Sequence, residues 1–155
     1  MTLTLLTIGR PRTSWIIEGC AEYARRIGHS VKFTIVELPT SKAREPSKQM
    51  AEESSRMLRS LEKYHDSDVW LLDALGERRT SMQFAELFKK AHDSGRSLLF
   101  LLGGAYGVDD SLRSAVGKRI LRLSDMTLPH ELCRLLFLEQ VYRAGEILGG
   151  RGYHH

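Results

Sequence analysis

The stretch Leu98 to Leu102 reads Leu-Leu-Phe-Leu-Leu and runs straight into Gly103-Gly104. Five apolar residues in a row, stopped by glycine, are too short for a helix and have no polar side. They predict a strand covered on both faces. Such a strand belongs to a mostly parallel sheet with helices packed above and below it. The rest of the chain fits that frame. Leu3 to Ile8, Val31 to Leu38, Val69 to Leu72 and Arg119 to Leu123 are the other short β-rich runs. Helical spacing fills the intervals. Ile16, Cys20, Tyr23 and Ile27 form one apolar stripe ended by Gly28, and Met50, Ser54, Met57, Leu58 and Leu61 form a second. Thr80 with Gln83 makes a capping box ahead of Phe84, Leu87, Phe88 and Ala91. Asp109 or Asp110 caps a short helix that Gly117 ends. Thr40 to Lys48 is polar, basic and broken by proline, and is expected to be a mobile loop. The third strand is expected to close on an Asp73 to Gly76 turn.

The last helix, opening near Pro129, is apolar almost all round: Leu132, Cys133, Leu135, Leu136, Phe137, Leu138, Val141, Tyr142, Ala144, Ile147 and Leu148 leave it little polar face. A helix of this kind is buried on more than one side. In one domain spanning residues 1–155, the sheet covers one side, and a second copy of the chain in a symmetric dimer covers the other.

Bulk properties narrow the class. With 42% apolar and 27% charged residues the chain reads as an ordinary soluble protein. No apolar run approaches the roughly 18 residues of a spanning helix, and the N-terminus is too short for a signal peptide. Membrane association is therefore not expected. Cys20 and Cys133 sit on helical stripes, which suits reduced, structural thiols in the cytoplasm. The net charge is +4, and all of it lies in the first third: residues 1–48 hold 8 Lys/Arg against 4 Asp/Glu. A basic surface suits a polyanion such as RNA, though a solvated face reads the same way.

Three segments offer chemistry. Gly103-Gly104-Ala105-Tyr106-Gly107 follows a buried strand and is either a plain turn or a backbone cradle for a flat ligand. It is not a dinucleotide fingerprint, and no phosphate-loop lysine follows. Leu123-Ser124-Asp125-Met126-Thr127-Leu128 places polar groups where the last strand ends, either for helix capping or for a ligand. In a parallel sheet these turns and Leu72-Asp73 emerge at one edge and can share a pocket. On the last helix His130 and Arg134 share a face, and Glu139 with Arg143 stands at ion-pair spacing. The closing Gly152-Tyr153-His154-His155 is either a frayed end or a lid. No metal-ligand spacing is present, so no metal is expected.

Taken together, LLTIGR, VWLLDALGER, GGAYGV, LSDMTLPHELCRLLFLEQVYRA and the terminal GYHH resemble the RlmH family over the whole length of the chain. These are SPOUT-class methyltransferases acting on a pseudouridine of 23S ribosomal RNA. The resemblance implies an α/β-knot: a mostly parallel sheet of five to six strands, helices on both faces and a C-terminal trefoil knot. It implies a cytoplasmic homodimer through the last helix and S-adenosylmethionine as cofactor. The cofactor residues implied are Leu72, Gly103, Gly104, Leu123, Ser124, Asp125, Met126, Thr127 and Leu128. The product would be N3-methylpseudouridine on the ribosome. For the chemistry, Arg134 or Arg143 would favour the anionic base or hold a phosphate. His130 or His154 would accept the proton, and Tyr153 would stack on the flipped base. A family ending of Tyr-His-Arg is replaced here by Tyr153-His154-His155. Two other functions remain to be separated from this one: a ribosome-binding assembly factor without catalysis, and a SPOUT enzyme with another RNA target.

Overall fold

Side-chain alternation sets the layering. In the first strand, β1 (Thr2–Ile8), Leu3 and Leu5 point to one face and Leu6 and Ile8 to the other, and all four are buried. The computed structural model describes residues 1–150. After β1 the order is α1 (Ser14–Gly28), β2 (Lys32–Leu38), α2 (Pro46–Leu61), β3 (Ser67–Arg78), α3 (Ser81–Asp93), β4 (Ser97–Leu102), α4 (Asp110–Val116), β5 (Ile120–Arg122) and α5 (His130–Leu148). The five strands lie in the order β2-β1-β4-β3-β5, and every pairing is parallel. The apolar run Leu98 to Leu102 is central, paired to β1 on one side and β3 on the other.

Helices α1, α3 and α5 cover the face that carries Leu5, Trp70, Leu98 and Phe100. Phe100 meets Phe137 of α5 at 4.8 Å between ring centres, and Phe84 and Phe88 of α3 close the cluster. On the opposite face Leu71, Leu99 and Leu101 pack against Met57 of α2 and Leu112 of α4. Helix α3 starts at the expected capping box, with Thr80 and Gln83 exchanging bonds at 3.2 and 2.9 Å. Asp109 caps α4 through the Leu112 N–H at 3.0 Å. The sheet side of α5 buries Phe137, Leu138, Val141 and Ala144, while Leu132, Leu135, Leu136, Tyr142 and Ile147 are only half covered. Beside them on α1, Trp15 is 58% exposed and Ile17 45%.

Two boundaries differ from expectation. Strand β3 does not close at Asp73–Gly76; it runs to Arg78 and breaks register against β5 between Leu72 and Glu77. Gly76 makes that possible, because a Cβ there would lie 2.5 Å from the Leu121 backbone. The polar loop after β2 is shorter than Thr40 to Lys48, because Pro46 opens α2 as a first-turn proline. Among the described residues no helix is long and apolar enough to cross a membrane, and no His/Cys/Asp/Glu cluster could hold a metal ion.

Candidate functional site

Parallel pairing brings the carboxyl ends of the strands to one edge, where loops can surround a ligand. A cavity of about 200 Å³ lies there. Leu72, Asp73 and Ala74 of β3 form one wall, Leu102 at the end of β4 another, and Arg122 through Leu128 the third, with Cys133 of α5 behind. Its interior combines the apolar Leu72, Leu102 and Leu123 with polar groups in the 124–127 loop. That loop is internally braced. Ser124 Oγ accepts the Met126 N–H at 3.0 Å, and Asp125 pairs with Arg78 at 2.9 Å and Arg122 at 3.3 Å. Asp73 accepts the Leu75 N–H at 2.8 Å through one oxygen and Arg113 at 2.9 Å through the other, so its orientation is fixed. Burial pushes the Cys133 thiol above its ordinary pKa, so it faces the cavity as a neutral group.

A second, larger cavity of about 530 Å³ opens on the other side of the glycine turn. It lies between the Gly9–Arg12 turn, Thr40 and Ser41, Gln49, Gly104-Ala105, and His130 with Glu131. Leu102 lines one cavity and Gly104 the other; Leu128 and His130 repeat that division one loop away. Burial, and then the Arg134 cation, depress the His130 pKa, only partly opposed by its bond to the Ile8 backbone and by Glu131 and Glu53. The imidazole is therefore neutral at pH 7 and able to take a proton. Glu131 accepts the N–H groups of Arg12 at 2.9 Å and Thr13 at 3.1 Å, which hold its carboxyl below the usual range and tie the first turn of α5 to the start of α1.

The residues expected from sequence separate into groups. Leu72, Leu123, Ser124, Asp125, Met126, Thr127 and Leu128 do surround one cavity. Gly103 and Gly104 do not line it. Gly103 packs inside its own turn, where a Cβ would meet Val108 Cγ1 at 2.6 Å, and Gly104 belongs to the second cavity. His130 also lines the second cavity. Arg134 is not free to hold a substrate: it is 3% exposed and donates to Glu37 at 2.7 Å, the Gly9 carbonyl at 2.6 Å and Thr7 Oγ1 at 3.1 Å. It clamps the ends of β1 and β2 to α5. Arg143 donates to Glu139 at 2.7 and 3.0 Å and lines neither cavity. Its Cα is about 20 Å along α5 from His130. Tyr153 and His154 lie outside the described residues. Sequence reasoning missed Ala74, Leu102, Arg122 and Cys133 as lining residues, and it did not use Glu53. The continuation of β3 was the missing signal for Ala74; for Glu53 the sequence offers only its place on the Ser54–Met57 stripe.

Comparison with known proteins sharpens this picture. The family model described as "Predicted SPOUT methyltransferase" matches residues 1–154. The chain is 38% identical over 158 residues to a protein of Cytophaga hutchinsonii named "Ribosomal RNA large subunit methyltransferase H", and the match covers 100% of both chains. A protein of Neisseria meningitidis with the same name is 34% identical over 157 residues, covering 99% of each. In three dimensions the fold is similar to the crystal structure of a candidate RNA methyltransferase from Bacillus anthracis. The TM-score is 0.57 at 11% identity, covering 93% of this chain and 94% of that one.

Proposed function

The chain belongs to the SPOUT methyltransferase family, and from that premise we propose that it moves a methyl group from S-adenosylmethionine to N3 of a pseudouridine in 23S ribosomal RNA. The substrate class rests on full-length relatives named for methylating large-subunit ribosomal RNA. The observation that carries the reading is the meeting of Leu72–Ala74, Leu102 and Leu123–Leu128 around one cavity. Leucine walls suit a flat adenine ring, and the polar groups of the 124–127 loop suit its nitrogens and the ribose hydroxyls. When bound, the cofactor supplies a methyl group already activated on a sulfonium.

The protein then has to orient the acceptor and manage one proton. His130, neutral and on the adjoining cavity, accepts the N3 proton directly or through water. Arg134 acts at one remove by fixing the β1 end and the Gly9 turn that frame that cavity. A homodimer covers the half-buried side of α5 and the exposed Trp15 and Ile17 of α1. Arg143 lies so far from its own cavities that its role in catalysis runs through that second subunit. A C-terminal knot in the segment between β5 and α5 is part of this reading, and its support is the family. The setting is the cytoplasm, where the RNA is.

Calorimetry with S-adenosylmethionine tests the reading, paired with mass spectrometry of ribosomes taken from a strain that lacks the modification. Saturable binding and one added methyl on pseudouridine are expected. Ala74→Trp, which fills the cavity from an exposed position, should abolish binding without moving the thermal transition. Binding by the Trp variant equal to that of the parent would place the cofactor elsewhere.

A further inference from the structure

Glu53 is a carboxylate where an apolar residue would be expected. It is 1% exposed, on the buried side of α2. One oxygen, Oε1, accepts the Ser41 N–H at 2.9 Å and the Gln49 side-chain amide at 3.2 Å. The other, Oε2, is buried with no hydrogen-bond partner among the described residues. An unsatisfied carboxylate oxygen is costly inside a protein and marks a place where a donor is supplied from outside the fold. Its location says from where. Ser41, Gln49 and Gly104, the three neighbours that touch this carboxylate, all line the larger cavity. A Cβ on Gly104 would lie 2.1 Å from Oε2. Any side chain there would displace the carboxylate, and glycine leaves only a methylene between it and the cavity.

Resting on the function proposed above, we infer that this cavity receives the methyl-accepting base and that Glu53 Oε2 accepts the ring N1–H that distinguishes pseudouridine from uridine. Pseudouridine is joined to its sugar through carbon, so both ring nitrogens carry hydrogen; in uridine N1 is the glycosidic nitrogen. A carboxylate is acceptor-only and can read that extra donor. For the base to reach this oxygen the Gly104–Gly107 turn, braced by its bond from the Gly107 N–H to the Gly104 carbonyl at 3.0 Å, has to tilt as one piece, and that movement is part of the inference. N3–H stands on the other side of the C2 carbonyl from N1–H, so one group reads N1 while His130, on the same cavity, faces the reacting edge. The rim suits the phosphates of an RNA strand: Arg10 and Arg12 line it, and Lys42, Arg44 and Lys48 are exposed on the segment between its lining residues Ser41 and Gln49. Of these only Arg10 has a carboxylate partner among the described residues, and its side chain is still 86% exposed.

The test uses the full-length protein on two ribosome preparations, one with pseudouridine at the target and one from a strain lacking the pseudouridine synthase, which carries uridine there. The parent should prefer the pseudouridine ribosomes by about 10- to 100-fold in kcat/KM, the range of one hydrogen bond to a charged acceptor. Glu53→Gln should lose that preference, falling on pseudouridine while holding its rate on uridine, with cofactor affinity unchanged. Glu53→Asp, which retains an acceptor, should keep most of the preference and guards against a Gln variant that does not fold. Equal parent rates on both ribosomes, or a Gln variant with undiminished preference, would overturn the inference. A parent that methylates neither would instead overturn the proposed function.

Discussion

Replacing Arg134 by Met removes the guanidinium that joins α5 to the ends of β1 and β2. Three bonds are lost, to Glu37 at 2.7 Å, to the Gly9 carbonyl at 2.6 Å and to Thr7 Oγ1 at 3.1 Å. Thr7 is fully buried, so its hydroxyl loses this donor away from water. Breaking a buried ion pair costs about 3–5 kcal/mol. Glu37 is 25% exposed, so water recovers part of its charge and about 2–4 kcal/mol is expected. In a domain of this size each kcal/mol moves Tm by about 2–4 °C, so the variant should melt roughly 4–16 °C lower. Calorimetric melting at fixed protein concentration checks this. Glu37 keeps its bond from Arg10 at 2.7 Å in the Met variant, so adding Glu37→Gln should recover little of the loss. Turnover measured well below the lowered Tm should stay within about threefold of the parent, since Arg134 frames the site and does not touch it. An unchanged Tm with turnover down a hundredfold would refute this and make Arg134 a substrate contact.

The depressed pKa of His130 predicts that methyl transfer persists as pH falls through about 6.5, the ordinary imidazole value, and fails only below it. His130→Gln should lower the plateau and erase that acid limb; a parent limb at or above 6.5 would contradict the assignment. The same shift has a sign for stability: the unfolded chain takes the proton first, so stability falls as pH drops from 6.5 toward the folded value. Trp15→Glu places a charge on the exposed apolar edge of α1. It should halve the mass seen in sedimentation at micromolar protein, and an unchanged sedimentation coefficient would move the dimer contact elsewhere.

The sheet was readable because its signals are local. Leu98 to Leu102 could only be a doubly covered strand, and Thr80 with Gln83 could only open a helix. The cavity at the strand ends was readable for a related reason: parallel strands send their following loops to one edge, which brings Leu72 and Leu123–Leu128 together. What sequence hid was set by partners distant in the chain. Arg134 and His130 share a helix face, but only the folded arrangement shows Glu37 and Gly9 closing over one and an open cavity beside the other. Glu53 carries no signal in the sequence, because its surroundings include Ser41 and Gly104, which lie 12 and 51 positions away. The end of β3 was misplaced because Gly76, a usual turn signal, instead serves a close approach of two backbones.

The bonds from Glu131 to Arg12 and from Arg134 to Gly9 span 119 and 125 positions of the chain. The junction of the opening strand and helix is therefore secured by residues more than a hundred positions further along the chain. During translation the N-terminal half leaves the exit tunnel lacking the clasp that seats it, and long-range closure of this kind is slow. β1 can pair with β2 and β4 before α5 arrives, so the seating of the Gly9–Thr13 turn against α5 is expected to be a late step of folding.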